Sequence, residues 1–211
     1  MAAKTPRMVA LDIRIRRREV GPKASNYMPI QISNMQTCSA AANTTNKTST
    51  EFIRTSCGAT TYPQVCFKSL STYASAIQSS HYKLAETALN VSLRGARSTS
   101  AMVSKLLRQE DMKPNEAAAV KDCVEEIGES IDELQQSLKA MGDLGGDDVE
   151  FEMSNMKTWV SAALTDEDTC INGMEEQGVN EKVKKKIRKS ILGIVKLTSN
   201  ALALINSLTS T

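Results

Sequence analysis

From Val120 to Met141 the apolar side chains Val120, Val124, Ile127, Ile131, Leu134, Leu138 and Met141 recur at alternating spacings of four and three residues. A helix advances 3.6 residues per turn, so this spacing gathers them into one stripe along a helix of about seven turns that starts near Pro114. A stripe that long has to be covered by other helices. The chain supplies them. Ile187, Ile191, Ile194, Thr198, Ala201, Ile205 and Leu208 repeat the four-and-three spacing. Tyr82–Glu110 places Leu84, Ala88, Val91, Ala96, Met102, Val103, Leu106 and Leu107 on one face, with Gly95 expected to weaken the middle. After the Gly142–Asp148 break, Phe151, Met156, Trp159, Val160, Ala163 and Leu164 form the apolar face of another helix. Long helices with heptad-like stripes and short connections predict an antiparallel up-down-up-down four-helix bundle.

Composition agrees with an all-α fold. Aromatics make up 4% of the chain, which disfavours a β-sandwich or barrel. No stretch reaches the ~18 consecutive apolar residues of a membrane span, so no membrane partner is expected.

The five cysteines constrain the fold further. Cys57 and Cys66 bracket a turn, with Phe52 and Ile53 on a short helix before it and Pro63 opening a helix after it. This small hairpin buries little area, and a disulfide closing it contributes roughly 2–3 kcal/mol in the chain-entropy estimate. A zinc site would need further ligands, and the single histidine, His81, follows Ser79-Ser80 as a helix start. With Gly145 as the centre of a helical turn, Cys123 lies 22 residues before it and Cys170 lies 25 after it. On antiparallel helices these positions come level, which predicts a Cys123–Cys170 bridge. Cys38 is left over. Trp159–Leu164 reads as core, and the acidic Asp166-Glu167-Asp168 turn that follows reads as an exposed helix end closing on Cys170.

Residues 1–47 read as an extension and linker, and 48–211 as the folded domain, with the hairpin over about 48–78 and the bundle over about 79–209. Residues 1–37 carry seven Lys/Arg and two Asp/Glu, a net +5; the overall +2 therefore leaves −3 for the rest. A basic targeting or nucleic-acid arm is the alternative reading of this tail, and no nucleic-acid partner is expected. No apolar core of a secretory signal is visible there. Two structural disulfides nonetheless imply an oxidising compartment. Asn43, Asn46 and Asn90 begin glycosylation sequons, which fits export. The expected location is extracellular.

Catalysis has no constellation to rest on. One histidine, no Gly-rich phosphate loop and no metal-ligand cluster argue against an enzyme, a cofactor or a bound metal.

Cys57 and Cys66, the Lys121-Asp122-Cys123-Val124-Glu125 context, Thr158–Cys170 and Thr198–Ile205 together resemble the plant invertase/pectin methylesterase inhibitor family, in order and at family spacing over Thr50–Leu208. The resemblance implies a disulfide-clipped N-terminal helical hairpin followed by a four-helix bundle. It also implies a secreted protein of the apoplast and cell wall that blocks a carbohydrate-active enzyme. The Trp159–Cys170 string is similar to the pectin methylesterase inhibitor branch, and the Pro-Lys-Phe tripeptide of invertase inhibitors is absent, so acid invertase is the alternative target. The implied partner is a pectin methylesterase held one-to-one with bundle helices over its substrate cleft. The implied contact residues are Glu125, Glu129 and Asp132, with Thr169 and Asn172 beside the bridge. Asn172 stands where the family commonly has Asp, and Met174 where it has Phe.

The acids also share a logic of their own. Glu125, Glu129 and Asp132 are spaced four and three and lie on one face of a segment that carries seven acids and two lysines over 115–141. Acids at an interface speed association with a basic partner and weaken as they protonate toward pH 4–5. In contrast, Lys182, Lys184, Lys185, Lys186, Arg188 and Lys189 open the last helix, against its dipole. They read as solvated surface or as a contact for anionic pectin.

Overall fold

The computed structural model describes residues 37–109, 111–146 and 148–208. Helix α1 spans Thr37–Gly58 and α2 spans Pro63–Leu70; a 3-10 turn at Ser71–Tyr73 leads into the short α3, Ala74–Ile77. Four long helices follow: α4 (His81–Gln109), α5 (Pro114–Asp143), α6 (Val149–Glu176) and α7 (Glu181–Ser207). Every regular element among the described residues is helical. The basic segment 1–36 and the side chains of Cys38 and Asn43 lie outside the described residues.

In the bundle α5 packs on α4 and α6, and α7 packs on the same two helices. The four-and-three stripe of α5 resolves into two depths. Val120, Ile127, Leu134 and Met141 are fully enclosed, while Val124, Ile131 and Leu138 are half-buried against neighbouring helices. Helix α7 buries Ile187, Ile191, Ile194, Ala201 and Ile205 in the same core. By length and composition α7 is apolar enough to cross a bilayer, but its apolar stripe is spent on the bundle interior.

The loops are closed by specific polar contacts. The Lys113 N–H donates to Glu116 Oε2 at 2.9 Å, and the Asn180 N–H donates to Glu116 Oε1 at 2.8 Å. One carboxylate thus caps the start of α5 and holds the α6–α7 turn against it. That turn needs Gly178, whose φ of +63° is the left-handed region open to glycine.

The hairpin shares the bundle's core, where Ile53, Leu70 and Ile77 are fully buried, and specific contacts fasten it there. Cys57 and Cys66 are disulfide-bonded. The Tyr62 N–H donates to Asn200 Oδ1 at 2.9 Å, and Asn200 Nδ2 donates to the Tyr62 carbonyl at 3.1 Å. This reciprocal amide clamp joins the hairpin turn to α7, and Asn200 is buried to make it. The Arg54 guanidinium covers the Phe67 ring at 4.0 Å, and Phe52 meets His81 edge-on at 4.9 Å.

Four expectations need correcting. The end of the 1–47 segment read as extension and linker is helical from Thr37 as part of α1; the buried positions of α1 step from Ser49 to Ile53 to Cys57, and a stripe that begins on serine has no apolar signature. Phe151, read as core, is 56% exposed, and Trp159 and Leu164 are only partly buried, because Met153, Met156, Val160 and Ala163 occupy the inward positions of α6. Gly95 sits at a close helix contact rather than at a free point: a Cβ there would sit 3.1 Å from Ile194 Cγ2 and 3.2 Å from Leu197 Cδ1, so a larger residue would press on these α7 side chains. Lastly, α6 does not end at Cys170 but continues to Glu176.

Candidate functional site

The face formed by α5 and α6 is held level by one covalent bond and two hydrogen bonds. Cys123 and Cys170 are disulfide-bonded, with Cα atoms 4.3 Å apart and 47 residues between them in sequence. Further along, Ser130 Oγ donates to Glu167 Oε1 at 3.1 Å and Ser137 Oγ donates to the Met156 carbonyl at 3.5 Å. The bridge floors a shallow groove of about 170 Å³ lined by Ala119, Asp122, Glu126, Thr169, Gly173 and Gln177.

Glu125, Glu129 and Asp132 are all exposed on the outer face of α5. Glu125 is engaged by Lys121 Nζ at 2.8 Å, and that hydrogen bond and opposite charge raise the Lys121 pKa. Gln135 Nε2 donates to Asp132 Oδ1 at 3.1 Å. Thr169 lies on α6 at the groove, its hydroxyl donating to the Thr165 carbonyl at 2.9 Å. Asn172 is exposed, outside the groove lining, and donates to Asp168 Oδ2 at 3.1 Å. So Glu125, Glu129 and Asp132 share one helix face, Thr169 sits across the bridge from it, and Asn172 stands one turn outward. Of the sequon residues, Asn46 and Asn90 are exposed on helices rather than loops, and the Asn90 amide donates to the Glu86 carbonyl at 3.0 Å.

Beside exposed Glu129 lie Glu126, Glu133 and Asp166, partly buried acids that reading the sequence missed. Oxygens of Glu126, Glu129 and Asp166 lie within 4.8 Å of one another. Burial raises the Glu126 pKa, and the charges of Glu129, Asp166, Asp122 and Glu125 raise it further. Glu133 is pushed up to about 8 by burial, by a hydrogen bond with Asp166 and by the charges of Asp166 and Glu129. Glu133 Oε2 and Asp166 Oδ2 are both shut off from water, and neither meets a donor among the described residues. Two facing acceptors repel unless one carries a proton, and a single shared proton satisfies both. Three carboxylates, those of Glu126, Glu129 and Asp166, could also seat a hard cation.

Glu167 is the deepest acid. It belongs to the turn read as an exposed helix end, yet it is fully buried, with Ser130 on α5 and Thr198 on α7 both donating to Oε1, at 3.1 Å and 2.9 Å. Burial pushes its pKa up to about 8 despite these two hydrogen bonds, which act to lower it. The signal was present for Glu126, which the Cys123–Cys170 register brings level with Asp166 and Glu167, whereas the same register sets Glu133 level with Val160. Reading each helix by itself could not use it.

The model of the plant invertase/pectin methylesterase inhibitor family matches residues 51–204. The chain is 47% identical over 167 residues to Arabidopsis thaliana pectinesterase inhibitor 11, covering 77% of this chain and 83% of that protein. It is 42% identical over 183 residues to pectinesterase inhibitor 9 of the same plant, covering 84% and 89%. The fold is similar to the crystal structure of a mutant form of a pectin methylesterase inhibitor from Arabidopsis, with a TM-score of 0.57 at 23% identity over 71% of this chain and 92% of that one. A disulfide-clipped hairpin, a cross-linked four-helix bundle and a family match across 51–204 lead to one conclusion: the chain belongs to the plant invertase/pectin methylesterase inhibitor family.

Proposed function

We propose that the chain is an inhibitor of plant pectin methylesterase, not an enzyme, and that it acts one-to-one by laying the α5–α6 face over the substrate cleft of its target. The observation that carries this reading is the cross-linked α5–α6 face in a chain whose relatives are named pectinesterase inhibitors. A surface held by a bridge loses little conformational entropy on binding. Glu125, Glu129 and Asp132 supply its charge, with Thr169 and Asn172 at its edge. The protein works outside the cell, in the wall where pectin lies, with Asn43, Asn46 and Asn90 as acceptors for glycans.

The test is to add the purified, oxidised protein to a plant pectin methylesterase and to an acid invertase and follow both activities. Inhibition of the esterase alone is expected; unchanged esterase rates at micromolar protein and acidic pH overturn the reading, and inhibition of the invertase alone gives the site to the other enzyme. Charge reversal by Glu129→Lys with Asp132→Lys should weaken esterase binding by about tenfold or more at low salt, as for paired charges at an interface. Unchanged affinity and salt dependence would remove these residues from the contact.

A further inference from the structure

The basic start of α7 takes no part in the face just described. Of its six cations, Lys184 pairs with Glu181 and Arg188 with Glu175 on α6. Lys182, Lys185 and Lys189 are exposed and spaced three and four, so they form one row on the outer side of the helix, with Lys186 beside them. Helix α4 extends this field. A hydrogen bond of 2.9 Å between the Thr99 and Ser190 hydroxyls sets those residues level on antiparallel helices. Counting along from that pair, exposed Lys105 falls level with residue 184 and exposed Arg108 with residue 181. Six cations are thereby gathered at one end of the α4–α7 face, and a helix that opens on lysines does so against its own dipole. Of the acids at this end, Glu175 and Glu181 are paired, and exposed Asp111 and Glu176 offset part of the positive field.

We propose that this α4–α7 surface binds de-esterified polygalacturonate, the polycarboxylate that a pectin methylesterase leaves behind. The choice of polymer rests on the function proposed above. The surface itself argues against the other polyanions. Residues 181–192 contain no aromatic side chain, so there is no platform on which unpaired bases could stack. Leu192 is the one large apolar side chain exposed on this stretch, too little to enter a membrane interface. A row of cations at helical spacing suits a linear chain with a carboxylate on every unit. Each exposed pair is weak alone, so binding depends on many units engaging together and fades in salt. Methyl-esterified units carry no charge and contribute nothing. The inhibitor would thus collect where its target has already acted.

The experiment measures retention of the native, oxidised protein on immobilised polygalacturonate, highly methyl-esterified pectin, anionic phospholipid vesicles and duplex DNA, at low salt and at roughly 0.5 M NaCl, where screening is nearly complete. Retention on polygalacturonate at low salt, lost in high salt and absent on esterified pectin, is the expected result. A Lys105→Gln, Lys182→Gln, Lys185→Gln, Lys189→Gln variant with an unchanged thermal midpoint should bind about tenfold or more weakly, while inhibiting esterase as before. Equal binding of esterified pectin, preference for vesicles or DNA, or undiminished binding by the variant overturns the proposal. Loss of esterase inhibition with polymer binding intact would sink the proposed function and leave this surface standing, so the two readings fail separately.

Discussion

Glu167 carries an acid into the core where glutamine would make the same two hydrogen bonds through its oxygen. With its pKa near 8 in the folded chain and an ordinary value near 4.5 when unfolded, it holds a proton that the unfolded chain releases. Stability from this group is therefore fully present below about pH 4.5 and declines as pH rises through 8, by at most about 1.4 kcal/mol per pH unit for one proton. Denaturant unfolding between pH 4.5 and 8.5 should show this fall, and Glu167→Gln should flatten it. Glu133→Gln should flatten it less, since that side chain is partly in water and its charge is screened. A wild-type profile that stays level across this range would contradict both assignments. The residue scale is where sequence was least informative. Asp166, Glu167 and Asp168 look alike in a string, and only the arrangement of three helices makes Glu167 buried and Asp168 exposed.

At the scale of elements, the helices of the bundle followed from periodicity because each stripe is local: its spacing is visible without knowing what covers it. The α5–α6 pair went further, since equal rise on antiparallel helices brings Cys123 and Cys170 level. That bridge closes 47 residues. Cys123→Ala with Cys170→Ala should therefore cost about 4 kcal/mol of stability in the loop-entropy estimate, measured by urea unfolding of the two forms. A loss under about 1 kcal/mol would mean that packing alone holds these helices in register. Gly95 and α1 were misread for opposite reasons. Gly95 obeys an intrinsic propensity that a close α4–α7 contact overrides. Helix α1 lacks an apolar pattern over its first half and is helical nonetheless.

Across the whole molecule, charge is segregated. The α5–α6 face is acidic, and the end of the bundle where α4 stops and α7 starts is basic. With two surfaces on different helix pairs, short oligogalacturonates that fill the basic end should leave esterase inhibition within about twofold of its value in their absence, as for independent sites. Competition measured against a small ester substrate checks this, and strong interference would mean that the surfaces overlap. Sequence by itself determined the helical class, the bundle and the family, because hydrophobic period, cysteine position and motif order are properties of the string. Tertiary structure alone decided which acids are buried, that Asn200 clamps the hairpin to α7, and that Glu116 closes two helix ends at once. Those contacts join residues 64 and 138 positions apart. What makes each partner matter is desolvation beside the other, and that exists only once the helices have packed.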